Sequence, residues 1–318
     1  MQTRFNRELL LPDGIGQNER KNVNETVNFK IMVQYDGSRY NGWQLQKNTD
    51  NTIQGKIEKV LERMLGQHVD IIGSGRTDAG VHAKGQVANF HVPGKNVKEA
   101  LKSIEDEKIR DLRDLGEDEA LRECKKLRED EIPHNSKRLG EDDILVRFLE
   151  KLNSFLPEDI AITAIERVPS DFHARFDAVS KTYRYRIHTS NVSTVFERKY
   201  VYFYPELKLD LHAMKKACEF LKGEHDFKSF CANKHMKKST VRTIYNIEIQ
   251  ENDKDVIIDY TGNGFLQGMV RILTGTLIEI GTGRKNPLDI VSILEAKNRE
   301  TAGFTAPAEG LMLMEVKY

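Results

Sequence analysis

The sequence predicts an α+β fold: two halves, each a largely antiparallel sheet with helices packed on one side. Segments of two-residue alternation recur along the chain, from "VNFKIMVQY" at residues 27–35 to "GLMLMEVKY" at 310–318. Helices separate groups of strands rather than single strands, so the regular strand–helix alternation of a doubly wound parallel sheet is missing. A chain of 318 residues, 39% of them hydrophobic, has enough length and apolar content for a sizeable core.

Residues 1–26, rich in Asn, Arg and Glu with little periodicity, read as an N-terminal extension. The N-terminal half spans 27–168. Its first strand carries Val27, Phe29, Ile31, Val33 and Tyr35 on one face and is stopped by Asp36-Gly37. A helix follows: Thr52 suits an N-cap, Ile53, Ile57, Val60, Leu61, Met64 and Leu65 recur at helical spacing, and Gly66 ends it. "HVDIIG" and "GQVANFHV" read as strands, so "GSGRTDAGVHAKGQV" (73–87) is a loop anchored on both sides. Residues 95–142 form a charged, partly helical insertion. From Lys95 to Asp143 it holds sixteen acids and twelve bases, and it reads as a surface excursion. "DDILVRFLEKLNSFLP" resumes a helix, and "IAITAIERV" is the next strand.

The C-terminal half spans 169–318. "KTYRYRIHTS" and "YVYFY" are strands. "DLHAMKKACEFLKG" is an amphipathic helix capped by Asp210. "STVRTIYNIEIQ" and "DVIIDYTG" form a hairpin across "ENDK". "GFLQGMVRILTGTLIEIGTG" reads as one buried helix with Arg271 in its middle; "PLDIVSILEAKN" is a further helix, and the chain closes on a strand.

No apolar run approaches the roughly eighteen residues of a membrane helix. The start has no usable signal-peptide core, because Leu9 to Leu11 is too short. A cytoplasmic protein with no membrane association is expected. Three cysteines, odd in number and far apart, argue against a disulfide framework, and nine scattered histidines ask for no metal. Net charge is +0, but bases outnumber acids fifteen to eight from Asp171 to Arg242. A neutral total thus hides a basic stretch of the kind that phosphate binding needs.

The loop at 73–87 concentrates the candidate chemistry. Its glycines let backbone turn sharply and approach a ligand. Arg76 and Asp78 are two apart, which in an extended segment puts both side chains on one side. A carboxylate beside a guanidinium stays ionised near neutrality, fit to act as nucleophile or base. An Arg–Asp pair that merely closes a turn accounts for the spacing equally well. Arg271, inside an apolar helix, either snorkels to the surface or needs an acid, for which Asp78 and Glu279 are both candidates. "KTYRYRI" places Lys181, Tyr183 and Tyr185 on one face and Thr182, Arg184 and Arg186 on the other. Together with His173 and Arg175 of "DFHARFDA", that mix suits base stacking and phosphate contact; an ordinary strand with its tyrosine face in the core and a surface or packing histidine account for the same pattern. There is no nucleotide-binding GxxxxGK[ST] loop, no GxSxG elbow and no GxGxxG fingerprint.

At these residues the sequence resembles the TruA-type tRNA pseudouridine synthase family. "YDGSRYNGWQLQ" (35–46), "GSGRTDAGVHAKGQV", "DFHARFDA", "KTYRYRI", "EHDFKSF" (224–230), "GFLQGMVRILTGTLIEIG" (264–281) and "TAPAEGLMLMEVKY" (305–318) follow family order. The resemblance implies an active-site cleft between the halves. It also implies cofactor-independent isomerisation of uridine to pseudouridine: the N1–C1′ bond is cut, the uracil turns, and it rejoins through C5. The family's catalytic aspartate falls on Asp78; attack on the base, attack on the sugar and removal of a sugar proton all stay open. Arg76 would support a flipped nucleotide, Tyr183 stack on the uracil and help move the C5 proton, Arg271 pair with Asp78, and Leu311 wall the pocket. His173, Arg175 and Arg184 are expected to meet RNA. The implied partner is tRNA, in its anticodon arm at about positions 38–40, bound across a homodimer.

The chain departs from the family pattern in its N-terminal extension, in the length and acidity of the 95–142 insertion, and at Gln267-Gly268, where relatives often carry histidines. Two other readings compete: a non-catalytic RNA-binding protein on the same fold, and a hydrolytic glycosidase. The second would want a pair of acids at a set separation.

Overall fold

The structure is a computed structural model that describes residues 26–97, 99–100, 141–205, 208–252 and 254–318, with side chains from Leu145 onward in the segment resuming at Glu141. Residues 1–25 of the expected extension and most of the insertion lie outside the described residues. Val97 and Ala100 do not: both are buried in the hydrophobic core, so the expected surface reading does not hold at these two positions.

The described strands form one ten-stranded sheet, ordered β4-β1-β3-β10-β5-β9-β8-β7, with β2 beside β3 and β6 beside β5. In the N-terminal half, β1 (Thr26–Tyr35) pairs antiparallel with β3 (His82–Pro93) and β4 (Ile160–Val168); β2 is only Ile72–Gly73. The alternation predicted for β1 buries Phe29, Ile31, Val33 and Tyr35 and leaves Met32 exposed. Helices cover that buried face. In α1 (Ile53–Leu65), the Thr52 hydroxyl accepts from the Gly55 amide and Gly66 closes the helix in the left-handed region, which glycine adopts without a Cβ penalty. In α2 (Glu141–Phe155), Phe148 and Leu152 are fully buried.

In the C-terminal half, β5 (Ser180–His188), β9 (Asp255–Gly262), β8 (Val241–Asn252) and β7 (Gly223–Asp226) are antiparallel neighbours, with β6 (Tyr202–Phe203) parallel to β5. Helix α3 (Leu211–Leu221) is capped by Asp210, which accepts from the Ala213 amide, and buries Met214, Ala217, Cys218 and Leu221. Helix α4 is Met269–Gly281, and α5 is Asp289–Ala296. The expected long helix from Gly264 is therefore shorter: Gly268, at φ 69°, begins it. Arg271 lies in its first turn, at the edge of the apolar body rather than inside it.

The last strand, β10 (Leu311–Lys317), sits in the middle of the sheet, antiparallel to β5 and parallel to β3 through Met312–His82 and Leu313–Ala83. Register places Tyr35, Ala83, Leu313, Tyr183 and Tyr260 in one buried row across five strands. That row faces the helices, since the Tyr260 hydroxyl bonds Thr274 of α4 at 2.9 Å. The opposite face carries a polar row of Thr182–Thr261, Arg184–Asp259 and Arg186–Asp255 pairs. Among the described residues no helix is long and apolar enough to cross a membrane.

Candidate active site

The loop from Ser74 to Val81, between β2 and β3, is held from beneath and from one flank. Ser74 donates its amide to the Val87 carbonyl at 2.7 Å and its hydroxyl to Gln86 at 2.7 Å, and Gln86 Nε2 donates to the Gly75 carbonyl at 3.0 Å. From the sheet, the Tyr35 hydroxyl meets Thr77 Oγ1 at 2.9 Å. On the flank, Trp43 N donates to the Thr77 carbonyl at 3.2 Å and Gly80 N to the Tyr40 carbonyl at 3.3 Å. Two glycines allow that second segment to lie so close. A Cβ on Gly37 would stand 2.0 Å from the Val81 carbonyl oxygen, and one on Gly42, at φ 90°, 2.6 Å from that of Thr77. No larger residue fits either place.

His82 closes the base of this arrangement. It is 1% exposed, and its Nδ1 accepts from the Gly37 amide at 3.1 Å beside Asp36 at 3.2 Å. Backbone groups of Lys199 and Glu309 flank the ring, yet Nε2 makes no hydrogen bond. Burial pulls its pKa below 6.5, against the pull of Asp36. Asp36 itself is held down to about 2: burial acts the other way, and bonds from Ser38, with His82 and Tyr200, outweigh it.

Above the loop lies a cleft of about 1070 Å³ on the helix-bearing face, over β10 and β5, lined by Asp78, Arg76, Tyr183, Arg271, Leu311 and Arg175. The guanidinium beside Asp78 is that of Arg271, Nη1 to Oδ2 at 3.4 Å, with side chains 29% and 20% exposed. Arg271 is itself fixed by its Nε donating to the Ala306 carbonyl at 2.6 Å. The expected closeness of Arg76 to Asp78 does not become a pair. Arg76 is exposed and donates from Nε to Gln44 at 3.1 Å, while Asp78 opens a turn that the Val81 amide closes on its carbonyl at 3.2 Å and its carboxylate meets Arg271. The other acid weighed for Arg271, Glu279, instead accepts from the Phe304 amide and pairs with Lys285.

Tyr183 stands 7% exposed in the cleft floor, edge-on to Phe265 with ring centroids 5.2 Å apart. Burial raises its pKa, with Tyr35 and Asp78 adding to the shift, so the hydroxyl keeps its proton. Leu311, first residue of β10, is buried against the same wall.

Two of the residues expected to meet RNA are not in the cleft. Arg184 projects from the opposite face of the sheet, where Nε and Nη2 each bond Asp259 at 2.8 Å. His173 organises the turn before β5: its Nδ1 accepts from the Arg175 amide at 3.1 Å and its own amide donates to Asp177 at 2.8 Å. That turn presents Arg175 and Phe176 to the cleft.

Sequence reasoning named Lys181 beside Tyr183 without giving it a role and passed over Lys238, Arg242, Gln44 and Phe265; all five line the cleft. The place of Lys181 was findable, because it shares the face of Tyr183. Arg242 and Phe265 carry no local signal. Among the described residues the charged lining amounts to six cations (Arg76, Arg175, Lys181, Lys238, Arg242 and Arg271) around one carboxylate, Asp78.

A profile described as tRNA pseudouridine synthase matches residues 31–118 and 217–318. The sequence is 43% identical over 291 residues to a tRNA pseudouridine synthase A from Bacillus sp. (strain KSM-64), covering 92% of this chain and 99% of that protein. A tRNA pseudouridine synthase A 2 from Bacillus anthracis is 40% identical over 291 residues, again 92% of this chain and 99% of that protein. One from Clostridium tetani (strain Massachusetts / E88) is 39% identical over 296 residues, 92% of this chain and 98% of that one.

Proposed function

The chain belongs to the tRNA pseudouridine synthase family, enzymes that isomerise uridine in tRNA, and we propose that Asp78 is its catalytic group, acting on a uridine flipped out of the anticodon arm at about positions 38–40. The observation that carries the reading is that, among the described residues, Asp78 supplies the one carboxylate of a cleft whose other charged groups are cations. Isomerisation consumes no water and releases no base. One carboxylate suffices to open the N1–C1′ bond and to receive or return a proton while the uracil turns. Hydrolysis of the same bond would call for a second acid to activate water, and among the described residues this lining has none.

Each neighbour has a task that its position supports. Arg271, tied to Ala306, orients Asp78 through one oxygen. Tyr183 offers a ring for the uracil to stack on and a protonated hydroxyl near the C5 proton. Arg76, exposed at the mouth and steadied by Gln44, is placed to hold the nucleotide outside its helix. Leu311 closes the apolar side. The cations draw the RNA backbone into the cleft, and a homodimer gives one tRNA two such surfaces.

Unmodified tRNA tritiated at uracil C5 tests the reading. Wild type should release tritium into water with no change in RNA mass. Asp78→Asn should lose at least about 10²–10⁴-fold in rate while binding tRNA as before. A tenth of the rate surviving would overturn the role; free uracil would mean a glycosidase, and binding without either product a non-catalytic binder.

A further inference from the structure

We propose that Lys181, Arg175 and Arg242 form a seat for one backbone phosphate of the RNA, next to the nucleotide presented to Asp78; the inference rests on the reading of the cleft as an RNA site.

Lys181 lies two residues before Tyr183 on β5 and so projects from the same face. Its ammonium donates to the Ser74 carbonyl, at the root of the loop that carries Asp78. A Cβ on Gly75 would come within 3.2 Å of it. Arg175 reaches the same wall from the His173 turn. Arg242 reaches it from the start of β8, where its Nη1 donates to the Ser239 and Val241 carbonyls. All three line the cleft.

What is unusual is the lack of a counter-charge. Among the described residues none of the three pairs with a carboxylate, and the lone acid of the lining is taken by Arg271. Burial, with Arg175 and Arg242 adding repulsion, pulls Lys181 down to about 8. Burial likewise lowers Arg242, with Arg175 again adding to the effect. Lys181 and Arg242, partly desolvated beside the exposed Arg175 and without a carboxylate partner, destabilise the free protein. An arriving phosphodiester relieves that cost: its two free oxygens accept charge-assisted hydrogen bonds from donors already in place. A lysine that only propped up Ser74 would need no arginines beside it.

The test compares wild type with Lys181→Gln and Arg242→Gln, checked for folding by circular dichroism, in binding unmodified tRNA over a range of KCl. Each variant should bind about tenfold more weakly, and the slope of log Kd against log salt should fall by about 0.7–0.9. Stem-loops with a single methylphosphonate at each linkage flanking the target uridine locate the contact. One linkage should cost wild type about tenfold and cost each variant, which keeps two of the three cations, measurably less. Folded variants with wild-type affinity and slope, or a methylphosphonate penalty undiminished in them, overturn the proposal.

Should neither variant fold, the contact is still readable in wild type. Affinity for the natural stem-loop should fall as pH rises past about 8 and Lys181 loses its proton, and should not fall for the methylphosphonate RNA. The other charged groups facing this wall are Arg76, Asp78, Arg175, Lys238, Arg242 and Arg271, with Tyr183 on the strand of Lys181. Lys181→Arg separates Lys181 from Lys238, since only a change at Lys181 should flatten the profile. An equal loss with both RNAs refutes the site. These readouts are of binding, so a wild type that shows the phosphate coupling but forms no pseudouridine would overturn the catalytic reading and leave the phosphate site standing.

Discussion

Arg271 holds two acceptors at once, the Ala306 carbonyl through Nε and Asp78 through Nη1. A planar fork reaches the two from separate nitrogens in fixed geometry, whereas a lysine would have to reach both from one ammonium on a flexible stem. Arg271→Lys should therefore keep tRNA affinity within a few-fold yet slow single-turnover tritium release by roughly tenfold or more; an unaltered rate would mean that the pair does not position Asp78. His82 makes a different residue-scale statement. Its pKa is depressed, so its stabilising contribution is complete above about pH 6.5 and is lost as pH falls through its lower folded value. Asp36 opposite has the same sign, lost only as pH nears 2. Melting temperature should fall from pH 7 to pH 5 in wild type, and His82→Asn, which keeps an acceptor for the Gly37 amide, should flatten that slope.

Among the elements, the segment from Asp36 to Gln46 is the one whose role a strand-and-helix reading leaves blank. It forms no long element, yet it buttresses the Asp78 loop through Trp43 and Tyr40 and through the close approaches at Gly37 and Gly42. Two left-handed glycines separate torsion from contact. Gly66 at φ 65° has nothing within 4 Å of an added Cβ, whereas Gly42 meets the Thr77 carbonyl. In urea titrations Gly66→Ala should cost about 1 kcal/mol. Gly42→Ala should cost more, about 1–3 kcal/mol for backbone strain, and should lower turnover. Equal costs with intact activity would show that the buttress does not hold the loop. The acidic insertion belongs at this scale too. Because Val97 and Ala100 are core residues, a deletion that spares activity must start after Ala100; excising 101–140 should leave kcat/KM near wild type, and a soluble but inactive product would show that the segment takes part in function.

At the scale of the molecule, β10 decides whether the protein behaves as two halves or one. It lies between β3 and β5, and the row from Tyr35 to Tyr260 passes through its Leu313. Unfolding in urea should be a single transition, with the fluorescence of Trp43, the one tryptophan, coinciding with far-ultraviolet circular dichroism. A chain ending at Gly310 should lose that transition in both halves, because β3 and β5 are left with unpaired edges beneath the site.

Local chemistry was legible wherever it depends on neighbours in the chain. The caps at Thr52, Gly66 and Asp210, the alternation of β1 and β5, the hairpin of β8 and β9, and an acid on a loop between strands are all set by spacing and side-chain type within a few residues. The partner of Asp78 was not set by local spacing, which offered Arg76 as its neighbour; the resemblance named Arg271, and the structure puts that guanidinium at 3.4 Å while Arg76 turns to Gln44. Nor was the fate of "YRYR" legible, since alternation separates tyrosines from arginines but does not say which face the helices cover. Tertiary structure settled that by threading the final strand through the centre of the sheet. Contacts hundreds of residues apart come from burial of whole faces, and no short window of sequence records them.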